Sequence, residues 1–201
     1  MDKDNIYVLR DIDCFMSVTE AIREQGLTLE NRIIEKKVIE SNYYLSKQLN
    51  VPLATKLFYL CRVRYVEGIA QSIEKTYVEY SKVEGLEEYD LGNTSFYGLL
   101  LKEYGIQVYE TQEELLLVEA KREEKRLLGL EGKCEILLNR GTSYVSKNDH
   151  EPFEYFEMSS LPSFYRYRSV SEIWVKNQSM YNWWTASKRK FRMDSFKSEI
   201  V

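Results

Sequence analysis

Arg62 and Arg64 lie two residues apart in Leu57-Phe58-Tyr59-Leu60-Cys61-Arg62-Val63-Arg64, a run whose apolar and aromatic content reads as a strand. Residues two apart on a strand point to the same side, roughly 6.5–7 Å from each other. The two arginines therefore share a face with Phe58 and Leu60. Two adjacent guanidiniums form a rigid set of donors matched to phosphate or carboxylate oxygens. Farther along, Thr94-Ser95-Phe96-Tyr97 opens a helix. A helix start carrying Ser and Tyr offers backbone N–H groups and hydroxyls, which attract an anion. Together these residues predict a pocket for a small anionic molecule. Paired arginines also occur in ordinary ion-pair networks, which perturb titration without serving a ligand.

Glu74 joins that pocket only under one geometry of the turn at Glu67-Gly68. A two-residue loop pairs Arg62 with Ile73 and turns Glu74 to the opposite face. A three-residue loop, Val66-Glu67-Gly68 with Gly68 left-handed, pairs Arg62 with Ser72. Arg62, Arg64, Ser72 and Glu74 then point the same way. The three-residue loop with glycine last is a common hairpin type and is the favoured reading.

The rest of the chain must position these groups. Ser17-Val18-Thr19-Glu20 has capping-box spacing and predicts a helix to Gln25, stopped by Gly26. Arg32–Glu40 reads as a strand, and Ser41 caps a short helix through Leu49. Strand, turn and strand follow from Lys56 to about Tyr80. Asn93 or Thr94 caps a helix ending at Gly105. A long strand is expected over Ile106–Glu119, and then a helix with a solvated charged face over Ala120–Leu128. Strands are expected over Cys134–Val145, Phe153–Ser160 and Phe164–Arg168. Arg64, Glu67-Gly68 and Glu74 recur loosely as Arg140, Asn148-Asp149 and Glu154, which suggests a sheet of two similar halves. Short helices among antiparallel hairpins make an α+β fold with a mostly antiparallel sheet.

Composition narrows the chemistry. The 201 residues carry a formal net charge of -4, with 44% hydrophobic and 30% charged, which fits one domain plus an extension. The mild acidity argues against this chain being a general nucleic-acid binder. No run of about 18 apolar residues occurs, so no membrane span is expected. The charged N-terminus lacks the apolar core of a secretory signal, and a cytoplasmic location is expected. Cys14, Cys61 and Cys134 match neither a disulfide framework nor a zinc motif. His150, the single histidine, lies in a polar turn and reads as solvated. No glycine-rich phosphate loop or nucleophile elbow is found, so no cofactor is expected.

The run from about Ser17 to Arg168 resembles the UTRA domain, the effector-binding domain of the HutC subfamily of GntR transcription regulators. The stretch CRVRYVEGIAQSIEKTYV resembles that family's R-x-R strand, turn and glutamate-bearing strand. The stretch LGNTSFYGLLLKEYGI is similar to its S-h-Y-x-h-L-x-x-x-Y-G-h helix and is the most specific part. The stretch EAKREEKRLLGLEGKCEILLNR resembles the segment leading into its later sheet. The resemblance implies a chorismate-lyase-like fold and a pocket for an anionic effector, a sugar phosphate or a carboxylate. It implies that Arg62, Arg64, Ser95 and Tyr97 hold the acidic group. Glu74 and Glu154 would reach polar groups at the other end, Ser17 would lie near the first helix, and Tyr165 would form part of the wall.

Two departures stand out. Ala70 replaces the usual turn proline, and Ser163-Phe164-Tyr165-Arg166-Tyr167 matches the family's Asp-Arg-Tyr-x-Phe only at the tyrosine. Residues 1–16 read as a linker segment, 17–168 as the effector domain and 169–201 as an extension with three tryptophans and a basic run. The family's winged helix-turn-helix has no room before Ser17. The chain is then either a fragment of a longer regulator, the favoured reading, or a natural headless version; the fragment reading expects a homodimer that binds DNA through that missing head. The competing reading is an enzyme of the chorismate-lyase kind acting on a small carboxylate.

Overall fold

The computed structural model describes residues 7–11, 18–92, 94–146 and 151–169. Ser17, Asn93, His150 and the 170–201 extension, with the expectations placed on them, lie outside the described residues. The order of elements is β1 (Val8–Asp11), α1 (Val18–Glu24), β2 (Leu29–Glu40), α2 (Tyr43–Leu49), β3 (Lys56–Val66), β4 (Ile69–Glu79), α3 (Phe96–Tyr104), β5 (Glu110–Glu119), α4 (Arg122–Leu128), β6 (Glu135–Tyr144), β7 (Glu154–Ser160) and β8 (Tyr165–Arg168). Six strands form one antiparallel sheet in the order β2-β3-β4-β7-β6-β5. A separate two-stranded parallel pair joins β1 to β8. The fold is α+β with a mostly antiparallel sheet, as the alternation of hairpins and short helices implies.

The sheet consists of two three-stranded meanders, β2-β3-β4 and β5-β6-β7, which meet where β4 pairs with β7. The two similar halves anticipated from the hairpins are present. The echo of Arg64 in Arg140 is not, because Arg140 lies on the opposite face and pairs with Glu114 of β5.

Strand alternation gives the two faces different work. On one face Phe58 and Leu60 of β3 pack against Phe96, Leu99 and Leu100 of α3. On the other, Cys61 and Val63 of β3, Ile73 of β4 and Ile136 of β6 pack with Leu128 of α4. Covering both faces explains why β3 is buried along most of its length rather than alternating with polar residues. A third cluster unites Val8 of β1, Ile22 of α1, Met158 of β7 and Phe164, tying the first and last strands to the sheet.

The helix ends differ from the sequence expectations in their capping residues. Asn42, not Ser41, caps α2, its side chain accepting from Leu45 N at 2.9 Å. Ser41 instead donates to the Pro52 carbonyl at 3.0 Å and accepts from Thr55 N, closing the following loop. Ser95 itself caps α3, accepting from Gly98 N at 3.3 Å. The charged face of α4 is not wholly solvated. Glu124 is buried, accepting from Lys121 N at 2.7 Å and from Ser159 Oγ at 2.8 Å.

Candidate functional site

The hairpin that carries the arginines solves its register in a way neither turn reading anticipated. The loop is two residues, Glu67 and Gly68, both left-handed with φ of 50° and 76°, the conformation of a tight primed turn. Tyr65 pairs with Ala70, but Arg64 pairs with Ser72, so β4 carries one extra residue at Gln71. That bulge moves the register on by one and sets Arg62 directly opposite Glu74. Arg62, Arg64, Ser72 and Glu74 therefore do share a face, through a bulge rather than through a longer loop.

These three charged side chains form one buried cluster. Arg62 Nε and Arg64 Nη2 both donate to Glu74 Oε2, at 2.7 and 2.5 Å. Arg62 Nη1 also donates to the Leu91 carbonyl at 2.9 Å, which ties β3 to the loop before α3. Arg64 Nη1 donates to Thr19 Oγ1 of α1 at 3.1 Å and to Asn31 Oδ1 of β2 at 3.2 Å. The arginines are only 1% and 3% exposed. Burial alone would raise the Glu74 carboxyl, but the two guanidiniums outweigh it and bring it down to about 2. Burial pushes Arg64 down from its usual value, with Glu74 opposing. With Glu74 ionised the cluster keeps one net positive charge.

A second cluster faces the same space. Tyr97 Oη of α3 and Ser143 Oγ of β6 each donate to Glu154 Oε2 at 2.7 Å. Glu154 is buried at the start of β7, and desolvation there pushes its carboxyl up to about 7, with the charge of Glu74 adding to the rise and the two hydroxyls opposing it. Burial, then Glu154 itself, carry the Tyr97 hydroxyl well above its ordinary value.

Arg62, Arg64, Glu74, Ser95, Tyr97 and Glu154 line one cavity, together with Arg10, Thr19, Glu113 and Met158. The room inside it is about 50 Å³, and its mouth opens to solvent. Six of the eight residues singled out in the sequence thus come together. Their layout differs from the expected two ends. Glu74 is bound to the arginines, and Glu154 is bound to Tyr97. Tyr165 lies behind the wall, its hydroxyl donating to Met158 Sδ at 3.1 Å. Ser17 is outside the described residues, although the adjacent Val18 and Thr19 line the cavity.

Sequence reasoning missed Arg10, Thr19, Glu113 and Ser143. Ser143 and Glu113 become legible once the register is known, because Ser143 pairs with Glu154 and Glu113 with Gly141 on the same face. Arg10 carries no such signal, since it arrives on a strand that pairs, among the described residues, only with β8. Among the described residues no cluster of His, Cys, Asp and Glu could hold a metal ion, and no helix is long and apolar enough to cross a membrane.

Comparison with known proteins agrees with this geometry. The family model described as the UTRA domain matches residues 24–166. The chain is 26% identical over 129 residues to the HTH-type transcriptional repressor NagR of Bacillus subtilis, covering 64% of this chain and 53% of the relative. It is 24% identical over 112 residues to a probable fructoselysine utilization operon transcriptional repressor of Escherichia coli, covering 56% of this chain and 44% of the relative. The chain thus spans about half the length of these curated relatives. In fold it is similar to the effector domain of PhnF from Mycobacterium smegmatis, at a TM-score of 0.73 and 20% identity, covering 83% of this chain and 100% of that one. The ligand-binding domain of a putative GntR-family transcriptional regulator from Bordetella bronchiseptica superposes with a TM-score of 0.66 at 23% identity, covering 72% of this chain and 92% of that one. With the family model matching most of the sequence, and with the sheet and cavity described above, the chain belongs to the UTRA domain family.

Proposed function

We propose that this chain is the effector-binding module of a GntR-type transcription regulator, and that its cavity takes a small anionic metabolite, a sugar phosphate or a carboxylate. The observation that carries the reading is the single cavity shared by the Arg62–Arg64–Glu74 cluster, the capped start of α3 at Ser95 and the Tyr97–Glu154 pair. The net positive cluster and the helix start favour the acidic group of the effector. The Glu154 carboxyl, accepting or donating according to its protonation, suits a sugar hydroxyl or an amine. Control would run through a winged helix-turn-helix outside this chain. Palindromic operators call for a symmetric dimer, so the working form is a cytoplasmic homodimer in which effector binding shifts the population between two head spacings.

A thermal-shift screen against hexose phosphates and small carboxylates tests the reading. A true effector at a hundredfold excess over its Kd stabilises the fold by about 2.7 kcal/mol. No shift with any member of either class would count against it. The enzyme alternative rests on one observation, a buried carboxyl near neutral pKa in the cavity. Release of pyruvate from chorismate would favour it.

A further inference from the structure

Arg10, Arg62 and Arg64 line the cavity, and their commitments differ. Arg62 and Arg64 are locked to Glu74, to a main-chain carbonyl, and to Thr19 and Asn31. Arg10 comes from β1 and is held outside that cluster, by Glu113 and by the Tyr167 hydroxyl. Its Nη2 lies 3.6 Å from Glu113 Oε1 of β5, beyond ordinary hydrogen-bond length. Its guanidinium carbon sits 5.9 and 6.0 Å from the centres of the Tyr165 and Tyr167 rings. Glu113 has a better partner in Asn139 of β6, whose Nδ2 donates to its other oxygen, Oε2, at 2.8 Å.

We propose that Arg10 is a further effector-binding residue, which exchanges its long contact with Glu113 for the anionic group of the effector. The charge balance of the cavity supports this. The Arg62–Arg64–Glu74 cluster offers one net positive charge and the Arg10–Glu113 pair none. A phosphate monoester carries about one and a half to two negative charges near neutral pH, more than the cluster alone neutralises. Arg10 supplies the second charge without disturbing any buried hydrogen bond of the cluster, because its own contacts, with Glu113 and Tyr167, lie outside the cluster and Glu113 stays bound to Asn139. A singly charged carboxylate needs Arg10 less, so the same residue sets a preference for phosphate over carboxylate.

This inference rests on the effector reading, and its test separates the two. Calorimetric titrations of the full chain with glucose 6-phosphate, gluconate and inorganic phosphate would be run on the wild type, Arg10→Gln and Glu113→Gln. Arg10→Gln is expected to weaken glucose 6-phosphate binding about tenfold or more, the scale of a lost charge-assisted hydrogen bond. Glu113→Gln keeps an acceptor for Asn139 and removes the competing charge, so binding should tighten by about threefold. A purely structural ion pair would instead make both variants weaker. Unchanged or weaker binding in Glu113→Gln, or unchanged binding in Arg10→Gln, overturns the role of Arg10 and leaves the effector reading intact. A folded wild type that binds none of the three probes overturns both.

Discussion

Arg62 and Glu74 stand directly opposite each other on neighbouring strands, with the arginine Nε donating to Glu74 Oε2 over 2.7 Å. Because Arg64 reaches the same oxygen, one carboxylate holds two guanidiniums that would otherwise repel each other inside the protein. The cluster is thus a structural keystone of the cavity wall as well as a source of positive charge. Arg62→Ala would for that reason strip a buried partner from Glu74 and confound binding with stability.

Glu74→Gln should be strongly destabilising. Losing the shared carboxylate leaves two buried guanidiniums without their counter-charge, and breaking a buried ion pair from one side costs about 3–5 kcal/mol. Urea denaturation of the wild type and the variant measures this directly. A loss below about 1 kcal/mol, the scale of an exposed pair, would show that the cluster is solvated.

The two glutamates of the cavity should impose opposite pH dependences. Glu74 has a folded pKa of about 2 against an ordinary 4.5, so its stabilisation is present above about 4.5 and is lost as pH falls through 2. Glu154 has a folded pKa of about 7 against 4.5, so its contribution is full below 4.5 and is lost as pH rises through 7. Melting temperature followed from pH 4.5 to 7 should fall through the Glu154 contribution, and Glu154→Gln should flatten that slope. Tyr97→Phe removes one of the two donors to Glu154 and should move the midpoint higher.

Much of this site was legible in the sequence because period-two alternation fixes which residues of β3 share a face, whatever the turn does. Arg62 and Arg64 were placed together on that basis, and Ser95 and Tyr97 on the basis of a helix start. The position of Glu74 was not derivable, since it depends on the extra residue at Gln71, and Gln71 has no marking that distinguishes a bulge from a regular strand. Arg10 and Glu113 were invisible for a different reason. They meet only because β1 lies beside β8 and β5 closes the far edge of the sheet, and long-range packing of that kind leaves no local pattern.

Gly141 should tolerate no side chain. It pairs with Glu113, and a Cβ there would come within 2.8 Å of the Glu113 Cα and still closer to the Gln112 carbonyl oxygen, both rigid backbone. Gly141→Ala is expected to cost about 1–3 kcal/mol through forced backbone shifts. Hydrogen exchange should show the loss concentrated on β5 and β6. A variant as stable as the wild type would mean that β5 packs less closely than described.

The central claim is that the cavity beneath the start of α3 receives an anion, and Ser95→Asp tests it most directly. Aspartate is as good an N-cap as serine and suits the positive end of the helix, so the fold should keep its stability. The added charge lines the cavity and should repel an anionic ligand. Calorimetric titration with hexose phosphates and small carboxylates is expected to show saturable binding to the wild type and none to an equally stable Ser95→Asp. Equal affinity of the two proteins for the same anion would contradict the account.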